Sequence, residues 1–473
     1  MSLRFCQFLT EGIAQLSYLV GDTKSRTCAI FDPRRDVEIY IEAARKLGLS
    51  ITHIFETHIH ADFVSGSREL KARRADQADI YVSTERQTHY GFPHKPVKDG
   101  FTLDMGETCI TARHTPGHTP EHMSFLLSEK NRSVPWAVLS GDCLFADSIG
   151  RPDLLGDKTE ELTEDLFRSL TRFYLTLDDG VVVYPGHGSG SPCGANIGSR
   201  LTSTIGYERR FNSFLNARSF EKFRRLVLGT LPPVPTYYPR MKEMNRVGPE
   251  ILGERNVPGL EPRYFRELLD RGEALLVDTS PMLAFGGGHI PGALNIGARP
   301  LLSVWAGWLL RPDQPLLLVL EDDSELQEVV RLFTRTGYSN LTGYLVGGMS
   351  AWLESGYEMR TLPQIPVHDL RSGREEVTVV DVRSNAEWAG GHIPGALNIP
   401  LPELTSKAGE LMRKGPVAVY CGSGYRASLA ASLLLRQGFE VRNIPGSLSA
   451  WKDNGYPVES EGEAVEAANT VTG

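Results

Sequence analysis

Short β-branched runs, each broken by a turn residue, dominate the first 190 positions. LSYLVGD, TCAIFDP, ITHIFETHIH, WAVLSGD and VVVYPGH all stop at a Gly, Asp, Pro or His, and helical stretches lie between them. This alternation predicts an α/β or sandwiched fold with functional loops at the strand ends. The following stretch, 231–262, reads LPPVPTYYPRMKEMNRVGPEILGERNVPGLEP. Its Pro and turn residues predict a domain boundary.

Beyond that boundary the pattern repeats. GHIPGALNI occurs at 288–296 and again at 391–399, and the flanks match in order. ALLVDTS (274–280) answers VTVVDVRS (377–384), LLLVLEDDSELQEVV (316–330) answers VAVYCGSGYRASLAA (417–431), and LVGGMSAWLESGYE (345–358) answers IPGSLSAWKDNGYP (444–457). Strand, loop and helix alternate in each copy, which predicts two small α/β domains with parallel sheets. The expected organisation is a first domain over 1–235, a Pro-rich linker over 236–260, repeat domains over 261–361 and 362–460, and a flexible acidic tail over 461–473.

Bulk properties agree with such a chain. Its 473 residues are 41% hydrophobic and 23% charged, enough for each domain to bury a core. The net charge of −8 argues against a nucleic-acid or anionic-membrane binder. The N-terminal MSLRFCQFLTEGIAQLSYLV lacks a basic region followed by an unbroken apolar run, so no signal peptide is expected. The most apolar later stretch, 301–310, falls short of the roughly 20 residues that span a bilayer. Cysteines 6, 28, 109, 143, 193 and 421 show no paired spacing. A cytoplasmic chain with reduced thiols is the expectation.

Candidate chemistry concentrates at the strand ends of the first domain, in THIHADF (57–63), TPGHT (115–119), SGD (140–142) and PGH (185–187). A lone histidine is ordinarily structural. Several at strand ends, accompanied by Asp62 and Asp142, suit a zinc, iron or manganese site.

These pieces resemble the metallo-β-lactamase superfamily, whose signature T-H-x-H-x-D-H is followed by later His, Asp and His ligands. The resemblance implies an αββα sandwich over most of 1–230. One position departs: the last signature histidine is Phe63 here, which cannot bind metal and counts against a two-metal hydrolase of the glyoxalase II type. THIHADFVSG, TPGHTPEH, SGDCLFADSIGRPDL and PTYYPRMKEMN look most like the persulfide dioxygenases of that superfamily. That likeness implies one Fe(II) per chain, replaceable by zinc in a purified sample, held by His58, His118 and Asp142. Two histidines and a carboxylate make the facial triad of non-haem iron oxygenases. His60, Asp62 and His187 then orient ligands and water. Cys193, in GHGSGSPCG, is either a thiol near the iron or a packed cysteine. Arg151 either makes a structural ion pair or meets an anionic substrate.

In the C-terminal copy the strand VAVY runs straight into CGSGYR. Gly422 and Gly424 let the backbone curl so that amides around Ser423 and Tyr425 face one point, and the following helix adds its positive end. Arg426 adds a full charge. These surroundings favour a nucleophilic thiolate at Cys421. The C-x₄-R loop, with DVRSNAEWAGGHIPGALNIP before it and PGSLSAW after it, resembles rhodanese sulfurtransferases, which implies a persulfide on Cys421 and anion binding by Arg426. The first copy has Glu321 in place of Cys421, followed by Asp322, Asp323, Ser324 and Glu325, so it is expected to be inactive. It would serve as a spacer or interface, or bind a cationic or thiol partner.

Together the resemblances imply a persulfide dioxygenase–sulfurtransferase of sulfide metabolism. Its partners would be a low-molecular-weight thiol persulfide, O₂ and sulfite or thiosulfate, without nucleic acid or membrane. Family members commonly self-associate, which leaves room for a homo-oligomer. Two other readings stay open: a glyoxalase II-type thioester hydrolase with an accessory rhodanese, and a sulfur-relay or sensing protein with a structural metal.

Overall fold

The computed structural model describes residues 2–74, 77–130, 132, 134–253, 255–374, 376–411 and 415–460. The expected tail, 461–473, lies outside them. The chain forms two compact units, one of Met1–Arg255 with Arg331–Gly337, the other of Asn256–Val330 with Tyr338–Gly473.

The first unit is a mixed α/β sandwich. One sheet runs Leu3–Thr10, Gln15–Asp22, Thr27–Phe31, Ser50–Phe55, Asp79–Ser83, Lys95–Val97 in spatial order, antiparallel at first and parallel from Thr27–Phe31 onward. The other runs Ser203–Thr204, Val182–Pro185, Ala137–Gly141, Met123–Glu129, Thr108–His114, Thr102–Met105. Period-two alternation decides which side chains meet between them. Leu16, Tyr18, Val20 and Phe31 of the first sheet pack with Ile110, Ala112, Phe125 and Leu139 of the second. The intervening Leu19 and Ile30 point outward to Val37, Tyr40 and Ala44 beside or on the helix Glu38–Leu47. On the opposite face Val138 and Val183 meet Leu166 and Leu170 of the helix Thr159–Arg172. Strand ends thereby collect at one edge of the sandwich.

The 236–260 stretch departs from the expected linker. Tyr238–Val247 is a helix with Pro at its first turn, and its Tyr238, Met241 and Asn245 are buried. Proline is compatible with that position because the first-turn amides lack helical acceptors anyway.

The second unit holds both repeats. The first has a parallel sheet in the order Gly259–Leu260, Leu341–Leu345, Leu316–Val319, Leu275–Asp278, Leu294–Asn295. The second has Leu397–Asn398, Thr378–Asp381, Val417–Tyr420, Val441–Asn443, also parallel. The nine-residue repeat does the same mechanical work twice. Asn295 and Asn398 each donate to two carbonyls of the preceding loop, at 3.0 and 3.1 Å. His289 and His392 stack on Phe285 and Trp388 and bond the carbonyls of those same residues. These histidines are braces.

The copies join through one face of the helix Tyr425–Arg436. Tyr425, Ser428, Ser432 and Arg436, spaced a turn or two apart, bond Gly297, Asn295 and Gly292 of the first copy. Among the described residues no helix is long and apolar enough to cross a membrane.

Candidate metal centre and sulfur-transfer loop

His58 follows the strand Ser50–Phe55, Asp142 follows Ala137–Gly141, and His118 sits in the turn between Thr108–His114 and Met123–Glu129. All three are buried. His118 Nε2 lies 3.4 Å, and His58 Nε2 3.8 Å, from Asp142 Oδ2. None of these three atoms has a hydrogen-bond partner. Orphaned buried polar atoms are costly, and three converging on one point fit a cation with nitrogen and oxygen ligands.

The outer atom of each residue is engaged. Thr57 Oγ1 donates to Asp32 Oδ2 at 2.9 Å, so it accepts from His58 Nδ1–H at 2.9 Å. His118 Nδ1–H donates to the Arg151 carbonyl at 2.9 Å. Both tautomers leave the Nε2 lone pair facing inward. Burial and the surrounding imidazoles push His58 well below the ordinary range, and burial outweighs Asp142 to lower His118. Both are neutral, as metal ligation requires. Burial opposes the Asp142 carboxylate, but His187 and His118 hold it below the usual carboxylate range.

Two further groups of donors lie nearby, Asp62–His187–Cys193 and Asp32–Glu56–His60. They are only partly self-satisfied, with His60 Nδ1 and Asp62 Oδ1 left without a partner. His187 bonds Asp142 Oδ1 at 2.8 Å and Asp62 Oδ2 at 2.7 Å, using both ring nitrogens. Burial works against its charge, but the two carboxylates outweigh that and push it up to about 10. His60 Nε2 sits between Asp32 Oδ1 at 3.1 Å and Glu56 Oε2 at 3.0 Å. Glu56 is fixed in turn by the hydroxyls of Ser65 and Ser67. Phe63 is fully buried, its ring 4.5 Å from that of His60. Cys193 is buried with Sγ 3.7 Å from Tyr238 Oη, and burial pushes its thiol well above the ordinary range. It is a packed thiol.

Arg151 is also buried and structural. It pairs with Asp153 at 2.7 and 2.8 Å and bonds the carbonyls of Pro192 and Pro232. Its own carbonyl is what holds His118.

Residue-type reasoning passed over His122. Its Nε2 accepts the Asp142 amide at 3.0 Å, while its Nδ1–H reaches Thr115 Oγ1. Burial lowers it to about 3, so it stays a neutral acceptor. Gly141, at φ +50°, approaches the same ring so closely that a Cβ would meet Nε2 at 2.5 Å. The H in TPEH was the available signal. Asn245 was missed as well: from the helix Tyr238–Val247 it donates to the carbonyls of His60 and Phe63 and accepts from Ser65 N.

In the second unit Cys421 immediately follows the strand Val417–Tyr420 and is buried. Its Sγ receives the Gly424 amide at 3.1 Å. Gly424 turns at φ +116° immediately before the helix Tyr425–Arg436. The loop is pinned from the PGSLSAW side: Cys421 N donates to Ser447 Oγ, Leu448 N to Cys421 O, and Ser449 N to Gly422 O. Arg426, expected as a full charge that binds an anion, forms a bidentate pair with Glu387. In the first copy two of the four acids accept backbone amides, Asp322 that of Ser324 and Asp323 that of Gly347.

Comparison with known proteins follows these two centres. The metallo-beta-lactamase superfamily matches residues 11–187, and the rhodanese-like domain matches 261–355 and 367–454. A crystal structure of a metallo-beta-lactamase from Staphylococcus aureus subsp. aureus COL is 32% identical with a TM-score of 0.65, covering 73% of this chain and 99% of that one. The chain belongs to the metallo-β-lactamase superfamily. This superfamily member carries two rhodanese-like domains after its sandwich. It is also similar to the persulfide dioxygenase ETHE1 of Bos taurus, 27% identical over 217 residues, covering 45% of this chain and 75% of that protein. The hydroxyacylglutathione hydrolase GloC of Haemophilus influenzae is 29% identical over 212 residues, covering 41% of this chain and 90% of that protein.

Proposed function

We propose that the chain is an iron-dependent persulfide dioxygenase coupled to a rhodanese sulfurtransferase. The reaction R–S–S⁻ + O₂ + H₂O → RSH + SO₃²⁻ + H⁺ balances in atoms and charge. The observation that carries the reading is the set of three unpartnered donor atoms on His58, His118 and Asp142, beside a His187 already committed to two carboxylates. A ferrous ion held there would keep coordination positions open for O₂ and the persulfide and activate oxygen toward sulfur. Thr57 and the Arg151 carbonyl orient the imidazoles, His187 fixes the Asp142 carboxylate, and His122 accepts the Asp142 backbone amide. Burial of all three ligands limits competing water.

Similarity to the GloC hydrolase favours a second reading, a two-metal thioester hydrolase. Phe63 at the sixth ligand position and the engaged nitrogens of His187 weigh against it.

At the second centre Cys421 thiolate attacks the outer sulfur of thiosulfate, the S–S bond breaks, and sulfite leaves with its electron pair. Cys421–S–S⁻ remains. The reverse step joins that sulfur to sulfite and regenerates thiosulfate. Sulfite is common to both centres, and fusion raises its effective concentration. Cys421→Ser should abolish sulfur transfer while oxygen uptake persists, and His118→Ala should do the opposite. Equal loss of both activities in Cys421→Ser would refute two separate centres.

A further inference from the structure

The first rhodanese-like copy has no thiol, yet it retains a cavity of about 90 Å³. Thr279, Asn295, Arg299, Glu321 and Glu325 line it, and Tyr425 of the Cys421 loop closes one side. The cavity is thus shared between the vestigial loop and the active one. Tyr425 donates to the Gly297 carbonyl at 3.0 Å, and Met282, also in the lining, packs against Gly424.

The charges in this cavity are of both signs and are not spent on each other. Among the described residues, the side chains of Arg299, Glu321 and Glu325 take part in none of the ion pairs or hydrogen bonds, unlike the neighbouring Asp322 and Asp323. Burial and the nearby carboxylates of Glu321 and Asp322 push Glu325 up, a conflict that a bound ammonium would relieve. A guanidinium offers a planar fork that fits a carboxylate. In the same cavity Pro281 and Met282 supply an apolar, adaptable wall suited to a short methylene or sulfur-bearing stem.

We infer that this cavity binds a small zwitterion, an α-amino-carboxylate with a sulfur-bearing side chain, its ammonium at Glu321 and Glu325 and its carboxylate at Arg299. Its biological sense rests on the sulfur-transfer reading: low-molecular-weight thiols with such a head group would be held beside the Cys421 loop. The first copy is then a thiol-carrier site that has exchanged chemistry for recognition.

The test is equilibrium binding of S-methylcysteine, which cannot exchange sulfur, to the full chain carrying Cys421→Ser. The comparison ligands are 2-(methylthio)ethylamine, which has the amine alone, and 3-(methylthio)propionate, which has the acid alone. One site per chain is expected, with each half-ligand about tenfold weaker or worse. Arg299→Gln, and separately Glu321→Gln with Glu325→Gln, should each weaken S-methylcysteine by about tenfold. Glu321 is exposed, so its substitution leaves folding intact if Arg299→Gln does not. No binding, half-ligands equal to the zwitterion, or affinity indifferent to these substitutions would overturn the inference. Thiosulfate sulfur transfer by the chain with Cys421 present is measured separately. If transfer persists without zwitterion binding, only this inference falls; if transfer is absent while binding holds, the sulfurtransferase reading falls instead.

Discussion

Glu387 holds the Arg426 guanidinium with two hydrogen bonds of 2.7 Å each. Glu387 reaches that position because Ser384 and Glu387 close a capping box on the short helix Asn385–Ala389. The cation beside Cys421 is thereby fixed in direction and partly neutralised.

The pair makes stability depend on pH. Burial pushes the Glu387 carboxyl up, but Arg426 and Ser384 outweigh it and hold it at about 2, against an ordinary 4.5. The folded protein releases this proton more readily than the unfolded chain. The stabilisation is therefore complete above about 4.5 and disappears as pH falls toward 2. The carboxylate is 40% exposed, so solvent screening limits its worth. Glu387→Gln should cost about 0.5–1 kcal/mol at pH 7. In urea unfolding the two proteins should converge as pH falls through that window. The substitution also frees Arg426, so the KM for thiosulfate should fall.

Asp278 behaves oppositely. It corresponds to Asp381, which pairs with Arg383 in the active copy, but the first copy has Ser280 in place of that arginine. Asp278 Oδ2 has no partner, and burial outweighs its bonds to Ser280 to push the carboxyl up to about 6. The folded protein holds this proton more tightly than the unfolded chain, so its contribution is present below about 3.8 and lost as pH rises through about 6. Asp278→Asn should remove that loss, gaining about 2–3 kcal/mol on wild type between pH 4 and pH 8. Thermal unfolding of both proteins across that range checks it.

His122 should matter to the metal without touching it. Removing it leaves the buried Asp142 amide unpaired, at a cost of about 1–3 kcal/mol. His122→Ala should also weaken iron binding about 10–100-fold, the usual effect of losing a group that orients a ligand. His118→Ala should abolish binding. Fe(II) should raise the thermal midpoint of the wild-type chain by mass action and leave that of His118→Ala unchanged.

Much of this was legible in the sequence because the chemistry sits in contiguous motifs. THIHADF, TPGHT and SGD contain the three residues that the structure brings together, His58, His118 and Asp142, and Glu321 opposite Cys421 separates the two repeats at once. What escaped acts across the fold. His122 holds Asp142 through a backbone amide, and Asn245 reaches loop carbonyls from 182 and 185 positions away. Its helix was hidden by PTYYPR, whose prolines read as a linker although one of them suits a helical first turn. Nothing in CGSGYR announces that Glu387, 39 positions earlier, will pair with Arg426.

Cys193 tests whether packing has silenced a thiol beside the centre. Being buried and protonated, it should resist iodoacetamide in the native protein at pH 7.5 and react only on unfolding, as mass spectrometry of the alkylated peptides would report. Rapid native labelling of Cys193 would contradict the packed-thiol account.

The central claim is a single iron that oxidises persulfide sulfur. Its most direct test is oxygen consumption by the chain loaded anaerobically with Fe(II), on adding glutathione persulfide, with iron counted on the same sample. The account predicts uptake with sulfite formed and one iron per chain. No uptake, with two zinc ions bound per chain, would contradict it and identify the sandwich as a two-metal hydrolase.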